Sequence, residues 1–178
     1  ARQAGFFTGE ILPVSVPTGR KTPPNVVEQD EHPRPSSDES ALARLKPLSV
    51  GGVVTAGNAS GVNDGAAALL IGSAAAGERH GLKPLARILS AAAVGVEPRI
   101  MGVGPVEAIN KALARANLTL ADMDIIEINE AFASQVLGCL HGLGVDFDDA
   151  RVNPNGGAIA VGHPLGASGA RLALSVAR

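Results

Sequence analysis

Tryptophan and tyrosine are absent, and four phenylalanines make up the whole aromatic content of the 178 residues. Such a chain is unsuited to an aromatic stacking platform. Charge of one sign is also scarce. The formal net charge is −2 and no Lys/Arg-rich block occurs, so electrostatics give no support for nucleic acid as a partner. No apolar run approaches the roughly 18 residues that a membrane span requires. The longest, Gly65 to Ile71, is strand-sized, and no membrane partner is expected. A single cysteine, Cys139, excludes an internal disulfide framework and fits a reducing compartment. Neither end carries a visible targeting signal, which fits a cytoplasmic protein. The chain opens at Ala1 without a methionine and stops at Arg178 inside a helical pattern, so both ends read as cuts in a longer sequence.

What is present is a backbone of small and branched residues. Apolar types reach 46%, supplied by Ala, Leu, Val and Ile, and 22 glycines are spread along the chain. This composition suits close-packed helices and strands. The first third is irregular, with strand patterns over Ile11–Val16 and Asn25–Gln29 and proline-rich punctuation between and after them. A short helix is predicted from a Ser37 cap to about Lys46, where Pro47 ends it. From Gly51 the texture changes. A glycine-rich turn leads to a predicted strand over Ala66–Ile71, a helix from Ser73 to about His80 closed by Gly81, and a long buried strand over Pro84–Val94. A helix over Pro105–Asn117 follows from its 3.6-residue apolar stripe, then a short strand at Asp124–Ile128, an apolar helix at Ala131–Leu143, and a last helix after glycine turns. Alternating strands and helices predict an α/β layered body.

Three motifs carry chemical promise. In Asn153–Arg171, His163 stands between Gly162 and Pro164 and is flanked by Gly156, Gly157, Gly166 and Gly169. Glycines permit tight turns and the close approach of a ligand to the backbone. That framework would hold one imidazole at a fixed point, as a general base must be held; the alternative is a histidine that only bonds within its turn. In Ile125–Phe132, Asn129 and Glu130 fall where a β-branched strand ends and a helix begins. This is the crevice position of α/β sheets, where an asparagine can orient water or donate to an oxyanion, or else act as a plain helix cap. The third motif, Thr55–Ala67, is rich in small residues against which an extended ligand could lie. It matches neither phosphate-loop fingerprint, and a structural turn serves equally well.

Read together, NASGVNDGAA (Asn58–Ala67), PRIMGVGP (Pro98–Pro105), INEAF (Ile128–Phe132) and GGAIAVGHPLGASGAR (Gly156–Arg171) resemble, in this order, the signature set of the thiolases. The resemblance runs over essentially the whole chain from AGFF (Ala4–Phe7) onward. DEHPRP (Asp30–Pro35) and GVEPRIMGVGP (Gly95–Pro105) look like the branch that includes the 3-oxoadipyl-CoA enzymes.

The resemblance implies a thiolase fold of layered αβαβα type, incomplete in this chain. Residues 1–60 would be the remainder of a loop domain, 61–82 the last elements of an N-terminal half, and 83–178 most of a C-terminal half. It implies an acyltransferase that cleaves a 3-oxoacyl-CoA with CoA, or runs the reverse condensation, through an acylated cysteine. Acyl-CoA and CoA are the expected partners, coenzyme A being substrate. No cofactor or metal is expected, and the assembly would be a homodimer or homotetramer. His163 would activate the nucleophile and, with a water held by Asn129, stabilise an enolate oxygen. Ala56 and Ser60 would line the pantetheine path, Met101 and Phe132 would wall the acyl pocket, and Arg34 would lie near the CoA nucleotide. Both family cysteines are missing from these residues. Cys139, within the apolar helix after NEAF, is expected to be core, with a thiol pKa raised by burial. A non-catalytic thiolase-like protein that binds acyl-CoA or a partner is the rival reading. Condensing enzymes that use an acyl carrier protein fit less well, because of the NEAF asparagine.

Overall fold

The computed structural model describes all 178 residues, Ala1–Arg178. The core lies in the C-terminal half, between two helices and one extended segment. Helix α3, Gly104–Ala116, begins with a proline in its first turn, where the missing N–H costs nothing. Asn117 ends it in the left-handed conformation at φ 55°. Helix α4, Ala133–Leu143, places Val136, Cys139 and Leu140 on one buried stripe at i, i+3 and i+4 spacing. It closes on Gly144 at φ 67°, and Val145 N–H returns to the Leu140 carbonyl at 3.0 Å. Ile126, Ile128 and Val145 complete the buried cluster, with Val106 and Ile109 of α3 packed against it. At Gly142 the helices approach so closely that a Cβ would lie 3.0 Å from Val106 Cγ2.

Around this core the other elements are short. Strands β1, Val14–Val16, and β2, Asn25–Val27, form an antiparallel hairpin in the first third. It is shorter than the alternation at Ile11–Val16 predicted, because Pro13 has no N–H to give a ladder. Helix α1, Glu39–Ala43, is capped by Asp38, whose carboxylate accepts from Ala41 N–H at 2.7 Å; the expected cap, Ser37, lies outside it. Helix α2, Ala74–Arg79, has Ser73 as its cap, and the chain turns away through Gly81 at φ 63°. A one-turn helix, α5 (Ala158–Val161), was not expected from the glycine-rich sequence around it. Helix α6 spans Leu165–Ala177. No helix is long and apolar enough to cross a membrane.

The predicted strands at Ala66–Ile71 and Pro84–Val94 do not form. Both segments run without a backbone ladder, and Leu70, Ile71, Leu85 and Ile88 stand exposed. A helix satisfies its own backbone, whereas a strand exists only beside another strand. The Pro84–Val94 segment rests instead on α3: Ser90 Oγ donates to Ala112 O at 2.6 Å, and Lys111 Nζ donates to Ala93 O at 3.2 Å. The third predicted strand, Asp124–Ile128, is reduced to one parallel bridge between Ile126 and Val152. Arg151 anchors that bridge. Its guanidinium donates to the Leu120 and Met123 carbonyls at 2.9 and 3.0 Å and pairs with Asp149, whose carboxyl it holds down at about 2.

Candidate active site

Three sequence-distant segments converge at His163. The first is the end of the extended segment that carries Asn129. Beyond the Ile126–Val152 bridge, Asn153 replaces a strand partner with its side chain. Its Oδ1 accepts from Ile128 N–H at 2.9 Å, while its Nδ2 donates to Ile128 O at 2.9 Å and to Glu130 Oε1 at 2.8 Å. Asn153 does this from the left-handed region, φ 44°, which asparagine tolerates better than most residues. The backbone on both sides of Asn129 is thereby fixed.

The second segment is the loop that carries His163. Glu130 Oε2 accepts from Ile159 N–H at 3.0 Å, in the first turn of α5. The N-cap of that helix, Gly157, has no side chain with which to cap it, and a Cβ there would collide with the Glu130 carboxylate. The glycine anticipated as a point of ligand approach is therefore approached by a glutamate of the protein. On the other side of α5, His32 Nε2 bonds the Ile159 carbonyl at 2.9 Å, which ties the DEHPRP segment to the same turn. After α5 the chain passes through buried Gly162 at φ 101° and reaches His163.

The third segment is the turn at Asn58–Gly65. Ala59 bridges Phe132, Ser60 N–H donates to Ala131 O at 3.1 Å, and Ala133 N–H donates to Asn58 O at 2.8 Å. Val62 bridges His163 in parallel, and Asn63 Oδ1 accepts from His163 N–H at 3.1 Å. This one turn braces both the NEAF segment and the Gly-His-Pro segment.

The half-buried imidazole has a partner at each nitrogen. Nδ1 lies 2.6 Å from Ser168 Oγ, and Nε2 lies 3.4 Å from Asn129 Nδ2. The Asn129 Oδ1 atom is buried and bonds to nothing in the protein, so it can accept from a ligand. A base and an amide thus share one point, as deprotonation followed by stabilisation of a developing oxyanion requires. Next to them, a cavity of about 490 Å³ is lined by Met101, Pro105, Ile109 and Asn129 among others. Glu127 forms part of its wall and pairs with Arg171 at 3.3 Å; burial pushes its carboxyl up more than the guanidinium pulls it down. No group of three or more His, Cys, Asp or Glu side chains is placed to hold a metal ion.

The expected residues are distributed unevenly about this centre. His163 and Asn129 meet. Ser60 is partly buried against Ala131, Met101 lines the cavity, and Phe132 sits on the Ala59 bridge. Ala56 is exposed in the turn that Thr55 and Asn58 close. Arg34 is exposed, and its backbone carbonyl accepts from Ser37 N–H at 3.1 Å. Cys139 is fully buried in α4, donates to Gly102 O at 3.2 Å, and has its thiol pKa raised by burial, as expected of a core cysteine. Asn63, Glu130, Asn153 and Ser168 organise the site without having been singled out for these contacts. Asn63 lies 100 residues from His163 in sequence, and no spacing signals such a pair. Ser168 had a local signal, being one turn into a helix that starts beside the histidine.

Known proteins match the chain end to end. The thiolase N-terminal domain family matches residues 1–75, and the thiolase C-terminal domain family matches residues 82–178. A beta-ketoadipyl-CoA thiolase of Pseudomonas aeruginosa is 61% identical over 176 residues, covering 98% of this chain and 43% of that protein. An acetyl-CoA acetyltransferase of Escherichia coli is 55% identical over 177 residues, covering 99% of this chain and 44% of that protein. Among solved structures, the Bacillus anthracis acetyl-CoA acetyltransferase superposes with a TM-score of 0.93 at 44% identity, covering 99% of this chain and 44% of that one. Human mitochondrial 3-ketoacyl-CoA thiolase does so at 0.87 and 43% identity, with the same coverage. The α/β fold expected from the sequence is therefore present in part. The chain spans less than half the length of the relatives it matches.

Proposed function

Because this chain belongs to the thiolase family, we propose that the full-length protein is a CoA-dependent acyltransferase that cleaves a 3-oxoacyl-CoA, or condenses two acyl-CoAs in reverse. The observation that carries this reading is the meeting of His163 and Asn129 at one point, from segments 34 residues apart. In the degradative direction, His163 Nε2 takes the proton of a cysteine thiol supplied from outside these 178 residues. The thiolate attacks the 3-oxo carbon. The C2–C3 bond breaks, and its electron pair passes into the enolate of acetyl-CoA, which is then protonated. The enolate oxygen is held by His163 and by a water oriented by Asn129. CoA thiolate then attacks the acyl-cysteine and restores the free thiol.

Around this centre, Ala56 and Ser60 would line the pantetheine path, Met101 and Phe132 the acyl pocket, and Arg34 a contact to the CoA nucleotide. The first substrate to try is 3-oxoadipyl-CoA, since several relatives at 54–61% identity bear names of that kind. The acetyl-CoA acetyltransferase at 55% makes acetoacetyl-CoA the second. The working protein is proposed to be a cytoplasmic homodimer or homotetramer.

The test is steady-state thiolysis by the full-length protein. Cleavage of 3-oxoadipyl-CoA, with kcat lowered about a hundredfold to ten-thousandfold in His163→Ala, is the predicted result. Tight acyl-CoA binding with no turnover of any 3-oxoacyl-CoA would instead make the protein a binder, and full activity in His163→Ala would remove the base from the mechanism.

A further inference from the structure

We propose that Ser168 is a positioning residue that fixes His163 as the Nδ1–H tautomer and so leaves Nε2 as the one nitrogen that exchanges a proton with the reacting thiol; the inference rests on His163 being the base. Ser168 lies in the first turn of α6 and is 4% exposed. Its Oγ is 3.1 Å from the Pro164 carbonyl and 2.6 Å from His163 Nδ1. A hydroxyl has one proton, and a carbonyl oxygen can only accept. With the serine proton directed to the Pro164 carbonyl, the ring supplies the N–H of the shorter contact.

The other face of the imidazole points to the same tautomer. Asn129 Nδ2, a donor, faces Nε2 at 3.4 Å. A proton on Nε2 would set N–H against N–H, whereas a lone pair there accepts. The Nδ1–H form satisfies the Pro164, Ser168 and Asn129 contacts together, whereas the opposite tautomer draws the serine proton away from Pro164 and sets Nε2–H against the Asn129 amide. The scaffold around the pair is fixed. Pro164 follows His163 directly, Ser168 N–H also bonds the Pro164 carbonyl at 2.9 Å, and Asn63 holds the His163 backbone.

The arrangement has a consequence for proton transfer. When Nε2 takes the thiol proton and sulfur keeps the electron pair, Nδ1 retains its N–H. Ser168 goes on accepting it, so the hydroxyl need not turn in either charge state, and such preorganisation lowers the cost of the step.

The experiment uses the full-length protein labelled with 15N-histidine. Ring 15N–1H correlation spectra are recorded at alkaline pH, with the His163 signals assigned by their loss in His163→Gln. The expected spectrum has the proton on Nδ1 and a bare Nε2. In Ser168→Ala the ring should become a mixture of tautomers, with kcat lowered roughly tenfold, the factor of one neutral hydrogen bond, and KM unchanged. A wild-type ring protonated on Nε2 overturns the proposal, and so does a Ser168→Ala protein that keeps both the wild-type tautomer and kcat. If that variant does not fold, the wild-type spectrum decides alone. An Nδ1–H ring in a protein without thiolase activity would sustain the tautomer assignment and overturn the catalytic reading.

Discussion

Asn153 shows how much geometry one side chain can carry. It makes three hydrogen bonds, two to Ile128 and one to Glu130, and stands in for a strand that the chain lacks at that point. Removing it with Asn153→Ala leaves the Ile128 N–H and the Glu130 carboxylate short of partners. It also places alanine at φ 44°, where asparagine is better tolerated. A loss of about 2–4 kcal/mol from these combined effects is expected in denaturant unfolding of the full-length protein. A loss below about 0.5 kcal/mol, the size of a neutral surface change, would mean that the clip is not structural. At this scale the two side chains that meet, His163 and Asn129, are more legible in the sequence than their supports. His163 and Asn129 stood out because glycines and a strand end framed them. Asn63 and Asn153 act across long sequence separations, and only the folded chain brings them into place. Gly157, expected to admit a ligand to the backbone, is instead approached by the Glu130 carboxylate.

Among the elements, helices and strands were unequally legible for a physical reason. Helices α3 and α4 follow their apolar stripes to within two residues, since a helix bonds internally and needs only one face covered. The patterns at Ala66–Ile71 and Pro84–Val94 are strand-like in composition, yet neither segment has a ladder partner among these residues. Hydrogen exchange on the 178-residue chain should separate the two classes. Amides of α3 and α4 that face the core should be protected, and those of Ala66–Ile71 should exchange at nearly the free-peptide rate. Protection at Ala66–Ile71 would show that the segment pairs within this chain or with another copy. Unpaired apolar edges invite such association.

Taken as a whole, the molecule exposes 12,966 Å², against about 8,000 Å² for a folded monomer of this mass. Ten residues are buried, and the compact part is the α3–α4 cluster with the three segments that meet at His163. The excess surface agrees with a chain that matches only 43–44% of its relatives' length. Resemblance to the thiolases therefore conveyed the overall architecture, which periodicity alone could not: a layered sheet needs paired strands, and the one sheet these residues form has two. We propose that this chain supplies the base and the oxyanion partner, while a cysteine elsewhere in the full-length protein supplies the nucleophile. The most direct measurement is to incubate that protein with isotopically labelled acetyl-CoA, quench it in acid, and locate the label by peptide mass mapping. An acyl-cysteine outside residues 1–178 and an unmodified Cys139 are expected. Label on Cys139, or no acyl-enzyme at all, would contradict the proposal.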